Sequence, residues 1–492
     1  MRLGDILVAH GLVTNDDVAT AMEYQRTQGG RLGDILVAFG KLKSSDLDAV
    51  MEAAPSPPST IEETGLSVSD LLSLAMKAMY AGGAETPSAV AETLKLPNRV
   101  VQLVLEQAQE RKWIEVLGSS GVRVTAELRF ALTDKGKAWA TDALSQNAYV
   151  GPAPITLDDY RERIMRQRIT NERVDREEIA GAFADLIISD SFIRQVGPAI
   201  NSGKSILLYG PPGNGKTSVA ERIGNMFRSV VYIPYCFEVE GQIIKVFDPG
   251  MHEPIAQSQG DAPVSRIPAL RRDDFDRRWV ACKRPFIVAG GELTLEMLDL
   301  SFNTLAKFYE APLHVKALGG IFTIDDFGRQ LVSPEALLNR WIVPLERRVD
   351  YLKLHTGKSF SLPFDELVVF STNLSPKDLM DPAFLRRIPY KLEVSAPTRE
   401  EFKQIFAGIS KSRGLEATDA IIETTISALQ GPGGTPLASY QPKFIIDQVL
   451  TACKFENIPP RFRPDLIAMA IGNLSTEHAA AAAASQGHAA SN

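Results

Sequence analysis

One eight-residue run constrains this chain more than any other. Gly210, Pro211, Pro212, Gly213, Asn214, Gly215, Lys216 and Thr217 complete a G-x-x-x-x-G-K-T loop. An apolar β-type stretch, Ser205 to Tyr209, leads into it. A helical pattern from Ser218 to Phe227 follows, with Val219, Ile223 and Met226 on one face. The glycines let backbone N–H groups turn inward around a phosphate chain, and the helix start adds partial positive charge. Lys216 is the residue type that reaches β- and γ-phosphates, and Thr217 offers a hydroxyl to Mg2+. Strand before and helix after give the pattern its meaning, so the segment implies a bound ATP or GTP, with Ser218 completing the cofactor-binding set.

Further along, apolar runs end in polar residues suited to hydrolysis. Gly320 to Ile324 reads as a buried strand ending in Asp325 and Asp326. One carboxylate can hold a Mg2+-bound water, and its neighbour can polarise an attacking water. Leu367 to Thr372 is a second such strand, ending in Asn373, an amide able to orient that water. Asp381 to Arg387 and an alternating strand, Tyr390 to Val394, come next, and the pattern is all-helical from Thr398.

This combination resembles the AAA+ ATPase family over about residues 170–473. The resemblance implies a multidomain α/β protein built on a P-loop αβα sandwich with a helical lid. It makes Lys216 and Thr217 Walker A, Asp325 Walker B and a metal ligand with Thr217, Asp326 the catalytic carboxylate, and Asn373 sensor 1. Arg386 or Arg387 would be the arginine finger entering a neighbouring subunit, which implies a homo-oligomeric ring, most often a hexamer. Lys443 would be sensor 2. The chain departs from the family in carrying Asp326 for the usual Glu and Lys443 for the usual Arg. Residues 236–316 form a large insertion between the expected second strand and Walker B. Within it Phe237 to Phe247 reads as a hairpin, and another lies at Arg348 to Phe364. Such insertions either face a pore or client or add packing structure, and the sequence leaves both open.

The first 54 residues contain a repeat. Arg2-Leu3-Gly4-Asp5-Ile6-Leu7-Val8-Ala9 recurs letter for letter from Arg31, and Gly11, Val13, Asp17, Val18 and Met22 match Gly40, Leu42, Asp46, Leu47 and Met51. Each unit reads as a short helix, a glycine turn and a capped helix, with Asn15 and Ser44 as expected N-caps. Units this small are expected to pack on each other. The R-L-G-x-x-L-x-x-x-G pattern resembles the MshEN domain of type II secretion and type IV pilus ATPases, which binds cyclic di-GMP. That resemblance implies a ligand site at Arg2, Leu3, Gly4, Gln25, Arg31, Leu32 and Gly33. Arginine forks suit guanine or phosphate, and glycines allow backbone approach. Ala54 stands where the second motif ends in Gln, and docking of a protein on the same domain is the alternative.

Residues 66–146 read as three helices, a two-stranded hairpin and a final helix, which resembles a winged helix. Nine basic and nine acidic residues lie between Gly65 and Leu144. The candidate recognition helix, Asn98 to Trp113, is rich in Val, Leu, Gln and Glu. Both features favour protein contact over nucleic acid. A net charge of −7 adds no pull towards anionic partners. No apolar run approaches the roughly 20 residues of a spanning helix, so no transmembrane segment is expected. Cys236, Cys282 and Cys453 form no metal or disulfide spacing and suit a cytoplasmic protein.

The expected organisation is an MshEN-like domain at 1–54, a linker at 55–65, the winged-helix-like domain at 66–146 and a linker helix at 147–169. The nucleotide-binding domain (170–397), the lid (398–475) and a low-complexity tail (476–492) complete it. The expected function is a ring-forming ATPase that remodels a protein client, linked to secretion or pilus systems, under cyclic di-GMP control. The alternative is a DNA-binding, ATP-dependent transcriptional regulator.

Overall fold

The computed structural model describes residues 3–9, 11–28, 32–43, 46–47, 54–120, 127–227, 229–255, 275–379, 382–431 and 436–474. Arg2, Arg31, Ser44, Met51 and the 476–492 tail lie outside the described residues.

Residues 204–397 are organised by five parallel strands: β1 (Ile206–Tyr209), β2 (Phe286–Ala289), β3 (Ile321–Ile324), β4 (Leu367–Thr372) and β5 (Tyr390–Glu393). Their spatial order is β5-β1-β4-β3-β2. Ile206 aligns with Val369 and Tyr390, and Ile324 with Phe370 and Ala289. A parallel sheet covered on both faces needs continuous apolar strands, and β3 and β4 are buried along their whole length. Val369 and Leu208 share one face with Val219 and Ile223 of the helix Lys216–Met226. Val368 and Phe322 share the other with Leu337 and Trp341 of the helix Pro334–Arg347.

The second strand differs from expectation. Val230–Pro234, the apolar run before the insertion, pairs antiparallel with Trp279–Lys283 in a separate ribbon. Phe286–Ala289 takes the sheet edge beside β3 instead. Both runs have strand character, and only long-range pairing decides which joins the sheet.

The expected hairpins are present. Cys236–Val239 pairs with Gln242–Lys245, and Val349–Lys353 with Ser359–Pro363. The first belongs to a second five-stranded sheet that also takes Ser301–Asn303, Phe308–Glu310 and Ile155–Thr156. Phe237, Ile244 and Tyr309 are buried there beside Leu352 and Phe360 of the other hairpin. Cys236 and Ile243 close the core of the 66–146 region. The described part of the insertion thus adds packing structure.

Residues 66–146 form helices Val68–Gly82, Pro87–Leu94, Asn98–Glu110 and Asp134–Gln146, with Ile114–Ser120 paired to Glu127–Leu132. Side chains of Ser67, Thr86 and Thr133 accept the first free N–H groups of three of these helices.

The two N-terminal repeats pack on each other. A Cβ on Gly4 would meet Val18 at 2.7 Å and Leu32 at 3.3 Å, and one on Gly33 would meet Leu47 at 2.8 Å and Leu3 at 3.2 Å. Leu32 thus covers Gly4, and Leu3 covers Gly33. The helix Asn15–Gln28 is capped by Thr14, not Asn15. Asp17 N donates to Thr14 Oγ1 at 3.2 Å, and Thr14 N donates to Asp17 Oδ2 at 3.1 Å. The helix begins one residue earlier than its run of polar residues suggests.

Neither expected linker is a free tether. Pro55 O accepts from Asp276 N at 2.7 Å, and Thr64 O and Pro154 O accept from Arg278 Nη1 at 2.8 and 3.2 Å. Prolines in 55–65 mark a break in periodic structure without marking exposure. The segment 147–169 contributes an edge strand and the helix Leu157–Arg166, with Tyr160 and Ile164 buried.

From Arg399 the chain is helical, as expected: Arg399–Ser412, Asp419–Leu429, Gln441–Phe455 and a helix over 464–474 surround Phe402, Phe406, Ile445 and Val449. Among the described residues no helix is long and apolar enough to cross a membrane. The three cysteines are free and buried, and burial pushes the Cys236 and Cys282 thiols up to about 12.

Candidate nucleotide site

The loop after β1 and the polar residues that end β3 and β4 converge beyond the carboxyl edge of the sheet, where open α/β sheets bind ligands. Positive φ at Gly210, Gly213 and Gly215 (140°, 75° and 89°) turns the loop back on itself before the helix starts at Lys216. Lys216 is 7% exposed. Its Nζ donates to Gly210 O at 2.9 Å, Pro211 O at 3.0 Å and Asn373 Oδ1 at 2.6 Å. Burial draws the ammonium below its usual range, while the charges of Asp326 and Asp325 oppose that shift.

Thr217 Oγ1 donates to Asp325 Oδ2 at 2.8 Å, and Asp326 N donates to Asp325 Oδ1 at 3.0 Å. Asn373 Nδ2 donates to Asp326 Oδ1 at 3.2 Å. The five expected residues Lys216, Thr217, Asp325, Asp326 and Asn373 therefore form one connected network drawn from three elements. A hydroxyl and a carboxylate 2.8 Å apart beside a phosphate-type loop are a donor set that fits Mg2+. Pro211 and Pro212 are exposed at the loop's tip, and Ser218 is half-buried in the first helical turn.

The structure separates the two arginines. Arg387 is half-buried, and its Nε donates to Glu346 Oε1 at 2.6 Å within the same chain. Arg386 is exposed at the end of the helix Pro382–Arg387. Lys443 is exposed in the first turn of Gln441–Phe455.

Two sets of contacts were not visible in the sequence. Tyr440 N donates to Gly213 O at 3.0 Å, and Ser439 N to Asn214 Oδ1 at 3.1 Å, which straps the lid to the phosphate loop. Gln330, on the loop after Asp326, bonds the backbone of both aspartates. Neither carries a sequence signal, since each depends on the folded chain bringing distant segments together.

At the N-terminus, Gly4, Gly33, Leu3 and Leu32 come together in the contact between the repeats. The glycines expected to admit a ligand's approach are there filled by protein. Gln25 is half-buried on the neighbouring helix. Arg2 and Arg31, expected as ligand forks, lie outside the described residues.

A protein-family model described as a domain of unknown function, DUF8689, matches residues 398–473. That span is the C-terminal helical region that starts at Arg399. A vesicle-fusing ATPase from Caenorhabditis elegans is 29% identical over 195 residues, covering 36% of this chain and 22% of that protein. The chain thus spans about a fifth of the curated relative's length. Among solved structures, NtrX from Brucella abortus is 15% identical at a TM-score of 0.36, covering 61% of this chain and 58% of that one. The Thermotoga maritima RuvB Holliday junction branch migration motor is 18% identical at a TM-score of 0.32, covering 58% and 70%. Residues 204–397 form a mixed α/β domain with a five-stranded parallel sheet and a G-x-x-x-x-G-K-T loop at its carboxyl edge.

Proposed function

We propose that this chain is a Mg2+-dependent ATP hydrolase of the AAA+ type that works on a protein client. The observation that supports it most is the Lys216–Asn373–Asp326 chain of hydrogen bonds next to the Thr217–Asp325 pair. Lys216 exchanges its bonds to Gly210 O and Pro211 O for β- and γ-phosphate oxygens, and the loop N–H groups surround the rest. Thr217 and Asp325 would hold Mg2+, which supplies positive charge to the phosphates. Asp326 accepts the proton of the attacking water, and Asn373 keeps its carboxylate aimed.

In this reading Arg386, being exposed, is the group that reaches a neighbouring subunit's site in a ring, and Arg387 is internal. The N-terminal repeat binds cyclic di-GMP through Arg2 and Arg31 and tunes the cycle, which links the client to secretion or surface appendages. The DNA-binding alternative loses ground on one observation. The exposed face of Asn98–Glu110 carries Arg99 against Glu106 and Glu110, which does not suit a phosphate backbone.

Lys216→Ala is expected to abolish ATP binding in a titration. Asp326→Asn should bind ATP with parental affinity and turn it over at least about a hundredfold more slowly. Parental turnover by Asp326→Asn sinks the assignment of the proton acceptor. Mixing Arg386→Ala with Lys216→Ala subunits should restore part of the activity that each lacks alone if sites are shared. Calorimetry with cyclic di-GMP should show binding to the parent and none to an Arg2→Ala/Arg31→Ala double variant.

A further inference from the structure

Asp326 has φ +49°, a left-handed conformation uncommon outside glycine and most accessible to Asp and Asn. Its side chain is aimed by that backbone, so whatever fixes the turn fixes the carboxylate. The carboxylate meets Asn373, but that bond does not choose the backbone conformation. The turn is held by Arg329 N donating to Asp326 O at 2.9 Å, by Phe327 N donating to Ser371 O at 2.7 Å, and by the Gln330 amide. Its Nε2 lies 2.9 Å from Asp325 O, 3.3 Å from Asp326 O and 3.4 Å from Gly290 O, at the end of β2. Its Oε1 accepts from Gly328 N at 2.8 Å, closing the loop on itself. One side chain thus ties the ends of two adjacent strands to the turn that presents the second aspartate.

We propose that Gln330 is the positioning residue that holds Asp326 in its working orientation, acting through the backbone carbonyls of Asp325 and Asp326. This rests on the reading of the site as hydrolytic. The role needs an N–H donor, because all three strand-end partners are carbonyl oxygens. A side chain of the same size without the donor cannot fill it.

The test is steady-state ATPase kinetics on full-length Gln330→Ala and Gln330→Glu. Both are expected to lower kcat by about ten- to a hundredfold with KM for ATP within about threefold, since a small misplacement of a reacting group costs that much. Gln330→Glu keeps the size of the side chain, and it carries the test if Gln330→Ala does not fold. Parental kcat in Gln330→Glu overturns the proposal, as does a rise in KM that accounts for the whole loss. A crystal structure of Gln330→Glu supplies a readout without turnover. Asp326 should leave positive φ and lose its bond to Asn373, whereas an unchanged turn overturns the proposal. If the parent hydrolyses no ATP, the hydrolytic reading fails and that structure still decides the role of Gln330.

Discussion

At Gly213 a φ of +75° and a Cβ that would stand 2.4 Å from the Tyr440 ring exclude any side chain. Gly213→Ala therefore has to strain the loop or push Tyr440 away, and either loosens the strap between lid and phosphate loop. Strain of this kind is worth about 1–2 kcal/mol, so ATP should bind about tenfold more weakly by titration. An unchanged Kd would show that the strap does not shape the loop. Glu366 makes a different residue-level demand. It is fully buried, with neither carboxylate oxygen hydrogen-bonded among the described residues, and burial raises its carboxyl well above the ordinary value. The folded chain then holds that proton more tightly than the unfolded chain does. The contribution is present below the unfolded value near 4.5 and is lost as pH rises towards the folded one. Glu366→Met removes the penalty and should stabilise the protein by about 1–3 kcal/mol, more at pH 8 than at pH 5, in thermal melts. Equal melting shifts at the two pH values would mean that the carboxyl is not the cause.

Elements follow their local sequence where the signal is local. The helix Asn15–Gln28 starts where Thr14 and Asp17 exchange hydrogen bonds. The Thr14 hydroxyl, with Lys41 beside it, holds Asp17 down to about 2. Asp17 stays ionised across the working range, so the capping contribution is present above 3.8 and lost only as pH falls through about 2. Thr14→Ala should reduce amide-exchange protection in this helix by the same factor at pH 7 and pH 5. A factor that changes between those pH values would point to a titrating group other than Asp17. The strands β3 and β4 were legible because each is a largely apolar run that ends in a polar residue, and β1 because its apolar run leads into the glycine loop. The same feature made Lys216, Asp325, Asp326 and Asn373 legible as a set. Hairpins showed through alternation around Glu240-Gly241 and Gly357. The exchange of Val230–Pro234 for Phe286–Ala289 was not legible, since two similar runs compete for one edge and pairing is settled across the insertion. Gln330 and Tyr440 were silent for a related reason: a single amide or ring has no periodicity, and its role exists only once the segments meet.

At the scale of the whole molecule, one buried ion pair joins parts that the sequence presents as separate. Arg278 and Asp276 have side chains 4% and 3% exposed and lie 2.8 Å apart. Arg278 also reaches Thr64 O and Pro154 O, and Asp276 N reaches Pro55 O. The insertion, the 55–65 segment and the strand that leads into Leu157–Arg166 are thereby fastened at one point. Removing one partner of such a pair strands the other charge out of water and costs about 3–5 kcal/mol, whereas removing both charges costs far less. Arg278→Met should therefore release the 55–65 segment, measured as faster cleavage after Glu62 and Glu63 by a glutamate-specific protease under native conditions. Adding Asp276→Asn should return the cleavage rate only part of the way to the parent, because no buried charge is then left unpaired while the Arg278 bonds to Thr64 O and Pro154 O stay lost. Parental cleavage in Arg278→Met would show that the prolines and the surrounding core hold the segment without the ion pair.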